Sequence, residues 1–293
     1  MRTGPGRRPA GVPMRAAATG AALLALAGCG GGAGGTAAPA LTPPPLGTPT
    51  APPSGREGML ALPLSAYGTD REQDARRQQA VRALTADCMH TAGWADFTRD
   101  DALDSGGAVP DAAALPAGAF GYLRAEVAAV QGFHGPTAAA PARTPRPPAS
   151  EAEGTAAQEC VKKALTAVRP ADTSGSELVN TLFGQSLDAT GRDARVVGAT
   201  RAWSACMKDA GFAEASPDGL VARYHGPGRP TAEELAAATA DERCTAAGNL
   251  AGVWFAVLAG YQRQLIDANQ ERLAAYRKSL AEQTAELTRL AGS

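Results

Sequence analysis

The sequence predicts an all-α protein in which helical hairpins are joined by disulfides, with a long C-terminal helix and a disordered tether in front. Apolar residues recur at helical spacing through much of the chain, and one cysteine-containing motif ends two of these segments. Two other tracts consist mainly of glycine, alanine, proline, threonine and serine. Such a composition buries too little apolar surface to offset chain entropy, so these tracts are predicted to be disordered.

Residues 1–28 have the layout of a bacterial signal peptide. An apolar run over 16–27 follows a segment that has no acidic residue and four basic ones: Arg2, Arg7, Arg8 and Arg15. The run is about twelve residues long, whereas a transmembrane helix needs roughly twenty. We therefore expect residues 1–28 to be a removable signal rather than an anchor.

The sequence Leu26-Ala27-Gly28-Cys29 resembles the lipobox of bacterial lipoproteins. In that motif the cysteine thiol receives a diacylglyceryl group through a thioether, and the new amino terminus is acylated after cleavage. At about 0.8 kcal/mol per buried methylene, two or three acyl chains hold a protein at a membrane. Cys29 is thus the predicted lipid attachment site on the extracytoplasmic side of the cell membrane. Ordinary secretion with a chance cysteine is the alternative.

Composition argues against nucleic acid as a partner and against a membrane-spanning segment after the signal. Without the four arginines of residues 1–28, 24 of the 28 basic residues remain against 29 acidic ones, a formal net charge of −5. Nucleic acid is therefore not an expected partner, because its binding needs a concentrated basic face. The most apolar later stretch, 250–266, contains glycine, glutamine and arginine, so no membrane-spanning segment is expected after the signal.

Two tracts are predicted to lack fixed structure. Residues 29–58 read as a lipid-anchored linker, extended by its Pro43-Pro44-Pro45 and Pro52-Pro53 runs. A second tract near 135–150 reads as a disordered loop inside the first helical half. An ordered proline-rich ligand for another domain is the alternative for that loop.

Residues 59–170 and 171–293 are predicted as two helical halves that share a weak repeat. Cys88-Met89 begins one copy of Cys-Met-x-x-Ala-Gly-aromatic, and Cys206-Met207 begins the other. Each copy ends a segment with helical periodicity, over 70–92 and 193–210. Gly93 and Gly211 then lie where a helix C-cap favours a left-handed residue. The motif is accordingly read first as a helix end.

Four cysteines follow Cys29, and in an exported protein they are expected to form disulfides. Three pairings are possible, and the repeat favours Cys88 with Cys160 and Cys206 with Cys244. A zinc site built from Cys88, His90, His134 and Cys160 is the alternative, although its spacing is unlike that of a zinc knuckle. No metal or other cofactor is included in the prediction.

The C-terminal third carries the strongest helical signal. Thr231 and Glu234 match a capping box, and no proline follows, which predicts one helix or two with a bend. Apolar residues step by three and four along one face: Leu250, Trp254, Val257, Tyr261, Leu265 and Ala268. Gly248, Gly252 and Gly260 indicate close packing or a bend. Beyond about Arg272 the helix is expected to extend past the core, either frayed or available to a partner helix.

The second half resembles a family of uncharacterised actinobacterial lipoproteins. The matching residues are Trp203-Ser204-Ala205-Cys206-Met207, Gly211-Phe212, Ala240-Asp241, Cys244, Val253-Trp254-Phe255, Tyr261-Gln262 and Leu265-Ile266. The first half is less similar, since Phe133 stands where the family has tyrosine and Gly135 precedes Pro136 as an insertion. The resemblance implies the fold and the location, and it implies no activity.

No catalytic role is predicted. The three histidines, His90, His134 and His225, belong to no recognisable nucleophile, metalloprotease or phosphate-binding motif. The expected function is binding to a neighbouring envelope protein or to cell-wall material. One alternative is a cell-wall hydrolase. Another is a small-ligand sensor with a groove lined by Trp203, Trp254 and Tyr261, although the same aromatic residues are also expected as core.

Overall fold

The computed structural model of the protein describes residues 40–68, 71–102, 124–134, 148, 150–169, 173–224 and 228–292. Within these ranges the chain forms helices and no strand, so the predicted all-α class is confirmed. The predicted signal peptide 1–28 and Cys29 lie outside the described residues, as does nearly all of the predicted loop near 135–150.

A short 3-10 helix, Pro63–Tyr67, follows the first of the α-helices. The α-helices in the described part of the chain are α1 Gly55–Leu60, α2 Arg71–Thr91, α3 Ala125–Gln131, α4 Glu151–Ala167, α5 Ser174–Arg192, α6 Ala194–Asp209, α7 Pro217–Tyr224, α8 Ala232–Ala247, α9 Leu250–Asp267 and α10 Gln270–Gly292.

The repeated motif ends α2 and α6 in the same way. Gly93 and Gly211 have φ angles of +94° and +93°, in the left-handed range. The amide of the next residue turns back onto the last turn, so that Trp94 N–H donates to the Met89 carbonyl at 2.9 Å. The equivalent bond from Phe212 to Met207 is also 2.9 Å. The prediction that this motif is a helix end is confirmed, and the glycine supplies a conformation that other residues avoid.

Helices α2, α4 and α10 form one packed group. The Cys88–Cys160 disulfide joins α2 to α4, with 5.7 Å between the two Cα atoms. Val81, Ala164 and Leu287, one from each helix, are buried in a shared core. Helix α10 therefore packs along α2, and its last turns bury apolar side chains in this group.

Helices α3, α6 and α8 form a second group. The Cys206–Cys244 disulfide joins α6 to α8, again with 5.7 Å between the Cα atoms. Their core contains Phe133, Trp203 and Met207, each at most 1% exposed. Both predicted disulfides are thus present. The first ties the end of α2 to the body of α4 as predicted, whereas the second joins the end of α6 to the last turn of α8.

The two predicted halves are not separate packing units. Helix α3 comes from the first half of the chain but packs on α8 of the second. Helix α10 comes from the second half but packs on α2 of the first. The predicted boundary at residue 170 therefore does not separate two cores, because each group completes its core with a helix from the other half.

Helix α9 lies between these groups and packs against α5, α6, α8 and the 3-10 helix. Its residues enter four core clusters, through Leu250, Leu265, Phe255 with Leu258, and Val257 with Tyr261. Both ends of α9 are breaks, so the C-terminal third forms three helices, α8, α9 and α10, where one helix or two with a bend were predicted. Asn249, with φ of +46°, separates α8 from α9, and Ala268 with Asn269 separates α9 from α10.

The predicted extension of the C-terminal helix beyond the core is wrong. Leu273 and Leu287 of α10 are at most 4% exposed. Near the start of α10 the ring of Tyr276 lies so close to Gly175 that a Cβ at that glycine would overlap it. The amphipathic stripe of α10 is therefore covered by α2, α4 and α5 rather than left for a partner helix.

The predicted linker also needs correction over 40–58. These residues lie along α9, with Pro44 and Gly58 buried and Leu41 and Leu46 half-buried. Composition alone predicts disorder here. The segment packs instead, because α9 has glycines that let it approach closely and amide side chains that hydrogen-bond to its backbone. The remainder of the predicted linker, 29–39, lies outside the described residues.

Candidate functional site

Several polar side chains are buried between helices of the second half. Trp203 is 0% exposed, and its indole N–H donates to Asp241 Oδ1 at 2.8 Å. The hydroxyl of Thr245 reaches the same oxygen at 3.4 Å. Burial raises the pKa of the Asp241 carboxyl to about 6. This carboxylate lies in the core beside the Cys206–Cys244 disulfide and links α6 to α8.

A second buried carboxylate joins α6 to α9. Asp193 caps α6 by accepting from the Arg195 amide at 3.0 Å, and the Arg195 guanidinium donates to both of its oxygens, at 2.8 and 2.6 Å. The Tyr261 hydroxyl adds a bond of 3.1 Å from α9. The hydrogen bond from Arg195 holds the pKa of Asp193 down at about 2. Asp193 therefore remains charged and fixes the start of α6.

Gln262 provides a third polar link inside the core. Its side chain is fully buried, and its Oε1 accepts from the Leu64 amide at 3.0 Å. Its Nε2 donates to the Ser186 hydroxyl at 3.4 Å. One amide side chain therefore joins α9 to the 3-10 helix and to α5, as befits a buried polar group that must be hydrogen-bonded.

The predicted capping box is only half present. The Thr231 hydroxyl accepts from the Glu234 amide at 3.1 Å, as predicted. The Glu234 carboxylate, 3% exposed, instead accepts from the Phe133 amide at 2.8 Å and contacts His134 Nε2 at 3.3 Å. A Cβ at Gly132, whose φ is +56°, would overlap this carboxylate. Glu234 thus holds α3 on α8, which explains how a first-half helix joins the second group.

The histidines do not form the alternative zinc site. His90 Nε2 lies 2.7 Å from the Phe97 carbonyl oxygen, His134 lies against Glu234, and the two cysteines of that set are bonded to each other. His225 lies outside the described residues. Across the part of the chain that the structure describes, no group of three or more His, Cys, Asp or Glu side chains is placed to hold a metal ion.

The aromatic residues divide between core and surface. Trp203 and Tyr261 are at most 4% exposed and belong to the core, so they line no groove. Trp254 is half-buried, packs edge-on against Phe255 at 4.8 Å between ring centroids, and borders an open groove of about 440 Å³. Of the three aromatic residues predicted to line a groove, therefore, only Trp254 does so.

The groove bordered by Trp254 lies between α6 and the start of α7. Val196 and Val197 form part of its apolar surface, and Thr200, Ser204 and Ser216 bring hydroxyl groups. The Ser204 hydroxyl donates to the Glu214 carbonyl, and Ser216 Oγ accepts from the Gly219 amide at 3.2 Å. Each hydroxyl oxygen keeps acceptor capacity. These two bonds orient the serines along the edge of the groove.

Charged groups of both signs complete the groove. Arg201 and Asp218 line it, and both residues are exposed. An aromatic ring with neighbouring hydroxyls and charges suits a ligand that has one apolar face and several polar groups. Of its lining residues, only Trp254 was predicted to line a groove, and Ser204 lies in one of the motifs named above. The others come from α5, α6, α7 and the turn before α7 and share no motif.

None of the helices in the described ranges is by itself long and apolar enough to cross a membrane. Helices α8 and α9 reach that length and hydropathy only as a pair, with a bend of 64° between them. In the structure many residues of both helices are buried against other helices.

No family model, no curated protein and no solved structure matches this chain.

Proposed function

We propose that this protein is a lipid-anchored extracytoplasmic lipoprotein that works by binding cell-wall material. The observation that carries the location is Cys29, placed directly after Leu26-Ala27-Gly28 at the end of a signal peptide layout. The two disulfides support an oxidising compartment, since such bonds persist outside the cytosol.

Lipid attachment is tested by removing the Cys29 thiol and, in a second variant, by shifting it one residue. In a bacterial host fed an alkyne analogue of palmitate, the unaltered chain should take up label and sediment with membranes. Cys29→Ala should abolish both, because no other side chain at that position forms the thioether. Cys29→Ala combined with Gly30→Cys is the matched control: it keeps one thiol but shifts it by one residue, and it should also remain unlabelled.

The anchoring proposal fails if label persists in Cys29→Ala. It also fails if mass spectrometry finds the unaltered chain with an uncleaved, unmodified N-terminus in the soluble fraction. Labelling of the combined variant would mean that acylation tolerates a shifted thiol, which would contradict the lipobox assignment of position 29.

The groove beside Trp254 supports binding of a glycan-like ligand. A pyranose ring has an apolar face of C–H groups that can lie on an indole, and its hydroxyls can pair with Arg201, Asp218 and Ser216. A purely apolar ligand would cover Arg201 and Asp218 and leave their charges desolvated without a partner, which costs free energy. The concave shape favours a small ligand or chain segment over a flat protein surface.

Removing the groove arginine should weaken binding to the wall. The lipid-free mature chain is incubated with purified cell wall, and the bound fraction is measured by sedimentation. Loss of one charged hydrogen bond in Arg201→Ala should weaken binding about tenfold or more. Arg272→Ala removes another exposed arginine, on α10 and outside the lining of the groove, and should leave binding unchanged.

Two outcomes would contradict wall binding at this groove, and two more would favour the alternatives. No sedimentation with wall by the unaltered chain would remove the ligand class, and an equal loss in both arginine variants would indicate a merely electrostatic contact. Release of soluble wall fragments would favour the hydrolase alternative. A thermal shift with a small metabolite, in the absence of wall binding, would favour the sensor.

A further inference from the structure

Two charged side chains of the groove bordered by Trp254 have no counter-charge among the described residues. Arg201 comes from α6 and Asp218 from the first turn of α7, and both are exposed. They line the same groove without forming an ion pair with each other. The carboxylate of Glu214, in the turn before α7, lies instead 2.6 Å from the guanidinium of Arg223. The groove therefore offers one positive and one negative group to a ligand.

The turn that leads to Asp218 is fixed by its own hydrogen bonds. The Ser204 hydroxyl of α6 donates to the Glu214 carbonyl, which ties the turn to α6. The Ser216 hydroxyl accepts from the Gly219 amide at 3.2 Å, which holds the start of α7. The backbone at Asp218 is therefore fixed relative to α6, and a ligand that bridges the two charges does not have to order the turn first.

A neutral glycan would satisfy only part of this groove. Its hydroxyls can hydrogen-bond to Arg201 and Asp218, but covering these side chains removes water from their charges without supplying opposite ones. An opposite charge adds a Coulomb attraction that a hydroxyl lacks. A ligand with one carboxylate and one ammonium group supplies both counter-charges, so it suits the groove better than a neutral or singly charged ligand.

The apolar side of the groove limits what else the ligand carries. The half-buried ring of Trp254 packs edge-on against Phe255, and Val196 and Val197 add apolar surface. The volume of about 440 Å³ is that of a site for a small ligand or a short chain segment. The charged groups of the ligand must therefore lie close to a sugar ring or to an apolar side chain.

We propose that the groove binds the peptide-bearing units of the cell wall, with a free carboxylate on Arg201 and a free ammonium group on Asp218. The sugar ring or an apolar side chain of the same unit lies on Trp254. This inference rests on the proposed binding of cell-wall material, and it names the chemical class that the groove selects. That class is a zwitterionic glycopeptide rather than a neutral polysaccharide.

Chemical modification of the wall tests the two contacts separately. Acetylation of purified wall converts its ammonium groups to neutral amides, and amidation neutralises its carboxylates, while both treatments keep the glycan chains. The lipid-free mature chain is titrated with each wall, and the bound fraction is measured by sedimentation. Either modification should weaken binding about tenfold, as expected for the loss of one charged hydrogen bond.

Two variants assign each effect to a residue. Asp218→Asn should bind unmodified wall about tenfold less tightly and should no longer respond to acetylation, while it still responds to amidation. Arg201→Gln should show the reverse. Asp96→Asn and Arg272→Gln are the matched controls, because each removes the same charge at an exposed position outside the lining of the groove. Both controls should behave like the unaltered chain.

Four results would overturn the inference. If the unaltered chain binds all three walls equally, the ligand is not a zwitterion, and wall binding itself still holds. A response to only one modification would indicate a singly charged ligand. Equal responses in the unaltered chain, Asp218→Asn and Arg201→Gln would show that other residues contact the charges. No sedimentation with unmodified wall would refute the proposed function, and this inference with it.

Discussion

Replacement of Cys206 and Cys244 by alanine is expected to lower the free energy of unfolding by about 4 kcal/mol. The disulfide closes a loop with a sequence separation of 38, and the chain-entropy model assigns about that value to such a loop. The bond also fixes α6 against α8 beside Trp203, where Cys244 is 1% exposed. Urea denaturation of the lipid-free mature chain at pH 7, followed by helical circular dichroism, measures the loss.

Reduction provides the control for this prediction. Dithiothreitol should destabilise the unaltered chain, and the Cys206→Ala/Cys244→Ala protein should lose only what the remaining Cys88–Cys160 bond contributes. That bond spans 72 positions, so the model assigns it a similar value of about 4 kcal/mol. A paired variant within about 0.5 kcal/mol of the unaltered chain would show that the disulfide adds no stability here, contrary to the prediction.

The second large effect is expected at Asp241. Burial raises its folded pKa to about 6 from the model-compound value of 3.8, so the folded chain binds a proton more tightly than the unfolded chain. Its contribution to stability is therefore full at low pH and is lost as the pH rises from about 4 to about 6. At pH 8, Asp241→Asn removes the buried charge, retains an acceptor for Trp203, and should stabilise the protein by as much as about 3 kcal/mol.

Urea denaturation at pH 4 and at pH 8 measures this effect. Asp241→Asn should gain stability over the unaltered chain at pH 8 and show little gain at pH 4. Asp188→Asn is the matched control, since Asp188 is an exposed aspartate within α5 and its replacement should change stability by less than about 0.5 kcal/mol. An Asp241→Asn variant that is less stable at pH 8 would mean that the carboxylate itself is required.

Asp193 gives the opposite pH dependence. The hydrogen bond from Arg195 lowers its folded pKa to about 2, below the unfolded value. The stability it contributes is therefore present above about pH 4 and is lost as the pH falls towards 2, a difference of roughly 2 kcal/mol. As the pH changes, the two buried carboxylates change the stability in opposite directions, and the sum of their contributions is greatest near pH 4.

Four residues that the sequence analysis singled out are buried in the core: Trp203, Asp241, Tyr261 and Gln262. Trp203 with Asp241, Tyr261 with Asp193, and Gln262 each join separate helices inside the core. Their role in this chain is to position helices, and the groove that we propose for wall binding uses different residues.

The helix ends were predictable from the sequence. The Cys-Met-x-x-Ala-Gly-aromatic motif and the Thr231 cap both act on backbone groups within a few residues, so their effects can be recognised locally. The disulfide pairing could be favoured for a different reason, because a repeated pattern of helix ends and later cysteines pointed to one of three arrangements.

Other features depended on distant partners. Residues 40–58 have the composition of a linker, yet they pack because α9 presents Gly260 and Gln264 to residues more than 200 positions earlier. The reach of Glu234 to Phe133 likewise overrides the local capping box. In each case a side chain far along the chain supplies the partner, and no local pattern records it.

The sequence by itself determined that this chain forms helices and where several of them begin and end, because backbone capping and periodicity act over a few residues; its repeat favoured the observed cysteine pairing among three. Only the tertiary structure decided that α3 crosses to α8 and that α10 returns to α2. An apolar helix face can be buried against any complementary face, so periodicity predicts that a face is buried without specifying its partner. The partner of each apolar face is settled only when all the apolar faces are buried together in the folded chain.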